Sequence, residues 1–198
     1  VNSITEQVGT ITCDADANQH PLPVALTRPV VLVGMMGCGK STVGRRLATR
    51  LGLPFVDSDE EIEAAAGLSI PEIFSKLGEA AFRDGERRVI ARLVTDRPQI
   101  VATGGGAFIN DETRKLILNK ATAIWLKAPL DVLVERTGRR KNRPLLQNGD
   151  PAAILRDLLT VREPLYAMAP LHISSGRHPH ERTVEAIISA LASGDVML

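Results

Sequence analysis

The stretch Pro29-Val30-Val31-Leu32-Val33-Gly34-Met35-Met36-Gly37-Cys38-Gly39-Lys40-Ser41 decides the fold class. Its first five residues form an uninterrupted apolar run, as in a strand covered on both faces. Gly34 to Ser41 then fits GxxxxGK[ST] without a departure, and 40–50 reads as a helix with Val43 and Leu47 on its inner side. A phosphate-binding loop needs that order of strand, glycine turn and helix. Gly37 and Gly39 let successive backbone N–H groups converge on phosphate oxygens, and the helix start at Lys40 adds an oriented dipole. Lys40 brings positive charge to the terminal phosphates, Ser41 offers a hydroxyl to a magnesium ion, and Thr42 continues the cradle. The loop indicates a nucleoside triphosphate, without separating a kinase from an NTPase switch. The Lys40 side chain is expected in solvent when no nucleotide is bound, and Cys38 is expected to point away from the phosphates.

Apolar runs at 54–57, 100–102, 121–127 and 171–174 read as further strands. Helical spacing recurs at 59–66, 69–77, 79–94, 111–119, 130–136, 152–167 and 180–191. Strands alternating with helices predict an α/β fold with a mostly parallel sheet. Residues 1–28 are a compositionally separate, polar leader, expected to be poorly ordered, and 29–198 form one domain. A chain of 198 residues is long enough to bury about 70% of its extended surface.

Lys and Arg total 24 against 23 Asp and Glu, so the formal charge is +1 and gives no general attraction to nucleic acid or membrane. The apolar runs fall well short of the roughly 20 residues that span a bilayer. Cys13 and Cys38 are the only cysteines, too few for a disulfide framework or a cysteine-rich zinc site. A reducing compartment follows. Residues 1–23 hold acids but no Lys or Arg, which argues against a targeting segment. The expectation is a cytoplasmic monomer with no nucleic-acid or membrane partner.

Asp57 and Asp59 stand one residue apart at the C-terminal edge of the second strand. Continued as a strand, that spacing puts both carboxylates on one side, at the edge where open α/β sheets bind ligands. One can orient magnesium-bound water and the other can deprotonate an acceptor hydroxyl. Helix capping is the alternative role for Asp59. Arg83 can serve a ligand or pair with Glu86 or Glu79 on its own helix. Arg136, Arg139, Arg140, Lys141 and Arg143 crowd the aperiodic stretch around 137–150. With almost no aromatic residues to stack bases, this stretch suits a lid over nucleotide phosphates better than a nucleic-acid surface.

These residues together resemble the shikimate kinase family of small P-loop kinases, with a nucleoside-monophosphate-kinase-like fold. The likeness runs through 34–41, Phe-Val-Asp-Ser-Asp at 55–59, Phe-Arg-Asp-Gly-Glu at 82–86 and Thr-Gly-Gly-Gly at 103–106. It continues through Arg-Pro-Leu-Leu at 143–146 and Arg-Glu-Pro-Leu-Tyr at 162–166, leaving only the leader unmatched. The resemblance implies a three-layer fold on a five-stranded parallel sheet in order 2-3-1-4-5. It implies transfer of the ATP γ-phosphoryl group to the 3-hydroxyl of shikimate, a step of aromatic amino-acid biosynthesis.

By position, Asp59 matches the residue that binds the ring hydroxyls and serves as base. Asp57 matches the one that holds magnesium through water beside Ser41. Arg83 and Arg162 match the pair on the substrate carboxylate, with Gly105 and Gly106 presenting backbone to the ring. Arg143 matches the lid arginine that reaches the phosphates. Arg136 and Pro179 match the residues enclosing adenine, and Arg177 falls at a nucleotide-contact position. The resemblance also places a substrate-closing region at about 59–83 and the lid at about 137–150. A gluconate-type kinase would share loop and lid but has no need of two arginines around a carboxylate in this arrangement, and a non-catalytic module would have lost Lys40, Asp59 or Arg143.

Overall fold

The computed structural model describes residues 26–95, 97–138 and 150–193. The leader up to residue 25, and the lid segment 139–149 with Arg143, lie outside the described residues. β1 (Val30–Val33) is buried at every position, so its unbroken apolar run serves a strand covered on both faces. Around it lie β2 (Phe55–Asp57), β3 (Ile100–Ala102), β4 (Thr122–Lys127) and β5 (Leu171–Ser174). They form a five-stranded sheet in the order β2-β3-β1-β4-β5, with every pairing parallel. Val31 stands between Val101 and Ala123 in the register. This is the expected topology.

The helices are α1 (Lys40–Leu51), α2 (Ser58–Ala66), α3 (Ile70–Leu93), α4 (Asp111–Lys120), α5 (Leu130–Gly138), α6 (Pro151–Tyr166) and α7 (His180–Ala192). α1 packs on α7, α5 on α6, and α3 on both α2 and α4. Among the described residues no helix is long and apolar enough to cross a membrane.

The stretches at 69–77 and 79–94 run on as α3, broken only at Gly78, where φ is 82° and ψ 169°. That conformation is not helical, so a kink joins two helical stretches that the sequence reading also separates, and glycine adopts it without a Cβ clash. α3 opens on a capping box, with Ser69 and Glu72 each holding the other's end of the first turn. A short 3₁₀ turn at Ala107–Ile109 is too brief to leave a period in the sequence.

The order of the strands fixes where ligands go. From β1 the chain crosses to β2 at one edge, and from β3 it crosses back over β1 to β4, so the direction of winding reverses between β1 and β3. Crevices open outside the carboxyl ends of strands at such a reversal. The loops that follow β1 and β3 are Gly34–Gly39 and Thr103–Gly106. Thr103 ties them together, its N–H and Oγ1 both donating to Leu32 O.

Candidate functional site

The loop after β1 turns through Gly37 at φ 85° and Gly39 at φ 98°, left-handed positions that a side chain would strain. Gly39 is the residue at which α1 begins, and its carbonyl accepts the Val43 N–H at 2.8 Å. Cys38 is fully buried, its side chain in the core and its carbonyl accepting from Ser175 Oγ at 2.6 Å.

Lys40 departs from expectation. It is only 8% exposed, and its Nζ donates to Gly34 O at 2.8 Å and Met35 O at 3.0 Å. The reason is local: the turn curls the Gly34 and Met35 carbonyls toward the ammonium group, and Met35 O accepts the Cys38 N–H at 3.2 Å as well. The cation thus sits inside the curl of the loop rather than in solvent.

The acidic pair also differs from the strand-edge picture. β2 ends at Asp57, and the next residue already begins α2. Asp57 is the helix cap: its Oδ1 accepts the Asp59 N–H at 3.1 Å, while Oδ2 accepts from Ser41 Oγ at 2.6 Å. Capping therefore falls to Asp57 rather than Asp59, because the chain turns helical before the two-residue alternation of a strand can align them. Asp59 lies in the first turn of α2, against the loop after β3. A Cβ on Gly104 would fall 2.6 Å from Asp59 Oδ1.

Lys40, Ser41, Thr42, Asp57, Asp59 and Gly105 share one cleft of about 500 Å³. Gly104 lines it as well, and two arginines stand against the triple glycine. Arg162 Nη1 donates to Gly105 O at 3.4 Å, and the buried Tyr166 hydroxyl donates to the same oxygen. Burial holds the Tyr166 phenol above its ordinary range, so it remains a donor. A Cβ on Gly106 would meet Arg83 Nη1 at 2.5 Å.

Arg83 pairs with both neighbours that its helix allows, with Glu86 at 2.8 Å and Glu79 at 3.2 Å. Burial pulls its guanidinium down, but the two carboxylates together raise it. Burial likewise pushes the Glu86 carboxyl up, against the pull of Arg83. Glu86 is 1% exposed and fixes the fork of Arg83 toward Gly106, so pairing and ligand contact are compatible. Gly106→Ala should push that fork aside and raise the KM of the acidic substrate several-fold while leaving the KM of the nucleotide unchanged.

On the loop side, Arg136 donates to Gly176 O at 2.6 Å and Gly37 O at 3.5 Å, which carries α5 across the turn. Pro179 leads into α7. Arg177 points elsewhere: it is 65% exposed and pairs with Asp131 and Glu135 on α5. Sequence reasoning did not single out Tyr166 or His180. Tyr166 had a signal, four residues after Arg162 and so on the same helix face.

A family model described as shikimate kinase matches residues 36–192. The chain is 58% identical over 164 residues to the shikimate kinase of Caulobacter vibrioides, covering 83% of this chain and 82% of that one. Against the shikimate kinase of Rhodopseudomonas palustris it is 51% identical over 189 residues, covering 95% and 93%. A solved shikimate kinase from Acinetobacter baumannii in complex with shikimate superposes with a TM-score of 0.81 at 40% identity, covering 86% of this chain and 96% of that one.

Proposed function

The chain belongs to the shikimate kinase family, and from that premise we propose how its cleft divides the work. The reaction is transfer of the ATP γ-phosphoryl group to the 3-hydroxyl of shikimate, giving shikimate 3-phosphate and ADP. Such a transfer asks the protein for charge neutralisation and in-line placement more than for covalent help.

Gly37, Cys38, Gly39, Lys40, Ser41 and Thr42 hold the phosphates. Lys40 exchanges its two loop carbonyls for phosphate oxygens when ATP enters. Ser41 Oγ and Asp57 Oδ2, 2.6 Å apart at the mouth of the loop, are hard oxygen donors of the kind magnesium takes. Ser41 would bind that ion directly and Asp57 through water. Such an ion would supply positive charge against the nucleotide phosphates. Arg136 and Pro179 enclose adenine, and the family resemblance assigns Arg143 to the phosphates. Arg177 would contact the nucleotide on leaving Asp131 and Glu135.

At the other end, Arg83 and Arg162 clamp the shikimate carboxylate, with Gly105 and Gly106 against the ring. Asp59 lies between the two ends, where it can receive the proton of the hydroxyl under attack. The observation that carries this division is the placement of two arginines on either side of the triple glycine, with Asp59 against Gly104.

Its test is a coupled ADP-release assay with magnesium and ATP across shikimate, gluconate and nucleoside monophosphates. Shikimate alone should support turnover; comparable rates with gluconate would overturn shikimate as the acceptor, and comparable rates with nucleoside monophosphates, which lack a carboxylate, would overturn the carboxylate clamp. Arg162→Lys keeps the charge but loses the planar fork. It should raise the KM for shikimate by about tenfold or more, roughly the 1.4 kcal/mol or more of a charge-assisted hydrogen bond. ATP binding measured without shikimate should stay as in the unaltered protein.

A further inference from the structure

The Gly39 end of the cleft carries one more side chain. His180 opens α7 directly after Pro179 and lines the cleft with Lys40, Thr42 and Arg136. A Cβ on Gly39 would lie 3.5 Å from His180 Cε1 and 3.8 Å from Arg136 Nη1. Imidazole and guanidinium thus flank the same turn of the phosphate loop. The imidazole makes no hydrogen bond among the described residues, and no side chain caps the first turn of α7. The first turn of α7, with the positive end of the helix dipole, therefore borders the same cleft.

We propose that His180 is a further contact to the phosphates of the bound nucleotide, beside Arg136 at the first turn of α7. The inference rests on the nucleotide reading of the loop given above. The charges that face the ring are Arg136 from α5, Arg46 from α1, His178 from the preceding loop and Glu181 from its own helix. Burial first, then Arg136 and Arg46, hold the imidazole below its ordinary value, with Glu181 opposing. The ring is therefore mostly neutral in the free protein near pH 7.

A polyphosphate placed against the ring reverses that balance and favours the imidazolium. The sign follows from linkage. A group whose pKa rises on binding gives an affinity gain that is complete below its free-protein pKa and lost as pH rises through its bound pKa. Each unit of rise is worth a tenfold change in affinity.

The experiment is calorimetric titration of the full chain with magnesium and ADP between pH 6 and pH 8, in two buffers of different ionisation heat. It compares the unaltered protein with His180→Gln, and with His178→Gln as a neighbouring control. The nucleotide's own protonation is common to all three and drops out. The unaltered protein and His178→Gln should take up more protons on binding than His180→Gln does. Their affinity ratio between pH 6 and pH 8 should exceed that of His180→Gln by about threefold or more, which takes about one pKa unit of rise because pH 6 does not lie well below the lowered free-protein value. Where Gln disturbs the start of α7, as a thermal melt would reveal, His180→Asn gives the same comparison. Equal proton uptake with and without His180 would overturn the inference alone. Absence of ADP binding to the unaltered protein would overturn the nucleotide reading with it.

Discussion

Asp59→Asn should lower turnover on the order of 10³-fold, about 4 kcal/mol of transition-state stabilisation, even with both substrates saturating. The amide keeps the size of the carboxylate and some of its hydrogen bonding, but it cannot receive a proton. Asp59 lies in the first turn of α2 and against Gly104. Losing its charge there removes about 0.3–1 kcal/mol of interaction with the helix dipole, so the fold survives. Shikimate affinity, which the proposal assigns mainly to the two arginines, should change far less than turnover. Single-turnover kinetics beside calorimetric binding separates the two. Substantial turnover in Asp59→Asn would remove it as the base.

Lys40→Ala should cost on the order of 10² or more in turnover, roughly 3 kcal/mol, because the ammonium meets charge that develops on the transferring phosphoryl group. The folded-back position of Lys40 adds a second expectation. Without its Nζ, the Gly34 carbonyl loses that donor, while Met35 O keeps the Cys38 N–H at 3.2 Å. A buried acceptor left unpaired costs about 1–3 kcal/mol, so the nucleotide-free variant should also melt several degrees lower. Near-normal turnover would contradict the phosphate role, and an unchanged melting temperature would contradict the folded-back lysine.

The part of the fold that patterns over neighbouring residues was legible in the sequence. β1, the glycine loop and α1 follow from one apolar run, one spacing and one helical period, and the strand order agrees with the family resemblance. What escaped depends on contacts that spacing cannot report. The path of the Lys40 side chain is decided by carbonyls five and six residues back that only the curled loop brings near. The two-residue alternation at Asp57 and Asp59 assumed a strand that in fact stops at Asp57, since a capping carboxylate turns the chain into α2. The break at Gly78, by contrast, was legible: the helical stretches read on either side of it are the two that the kink in α3 separates.

The site divides in the same way. Arg83 with Glu86 is a helix-spacing pair and was readable in advance. The meeting of Arg162, Tyr166 and Gly105 joins residues about 60 positions apart, and only the family resemblance put Arg162 near the triple glycine. His180 belongs to no motif quoted from the sequence. Its place beside Gly39 comes from the packing of α7 on α1.

A crystal structure of the protein soaked with ADP, magnesium and shikimate tests the division of the cleft most directly. The account predicts the shikimate carboxylate within hydrogen-bond reach of Arg83 and Arg162, the ring against Gly105 and Gly106, and a ring hydroxyl on Asp59 facing the phosphate loop. A carboxylate held away from both arginines, or a ring whose hydroxyls leave Asp59 untouched, would contradict it.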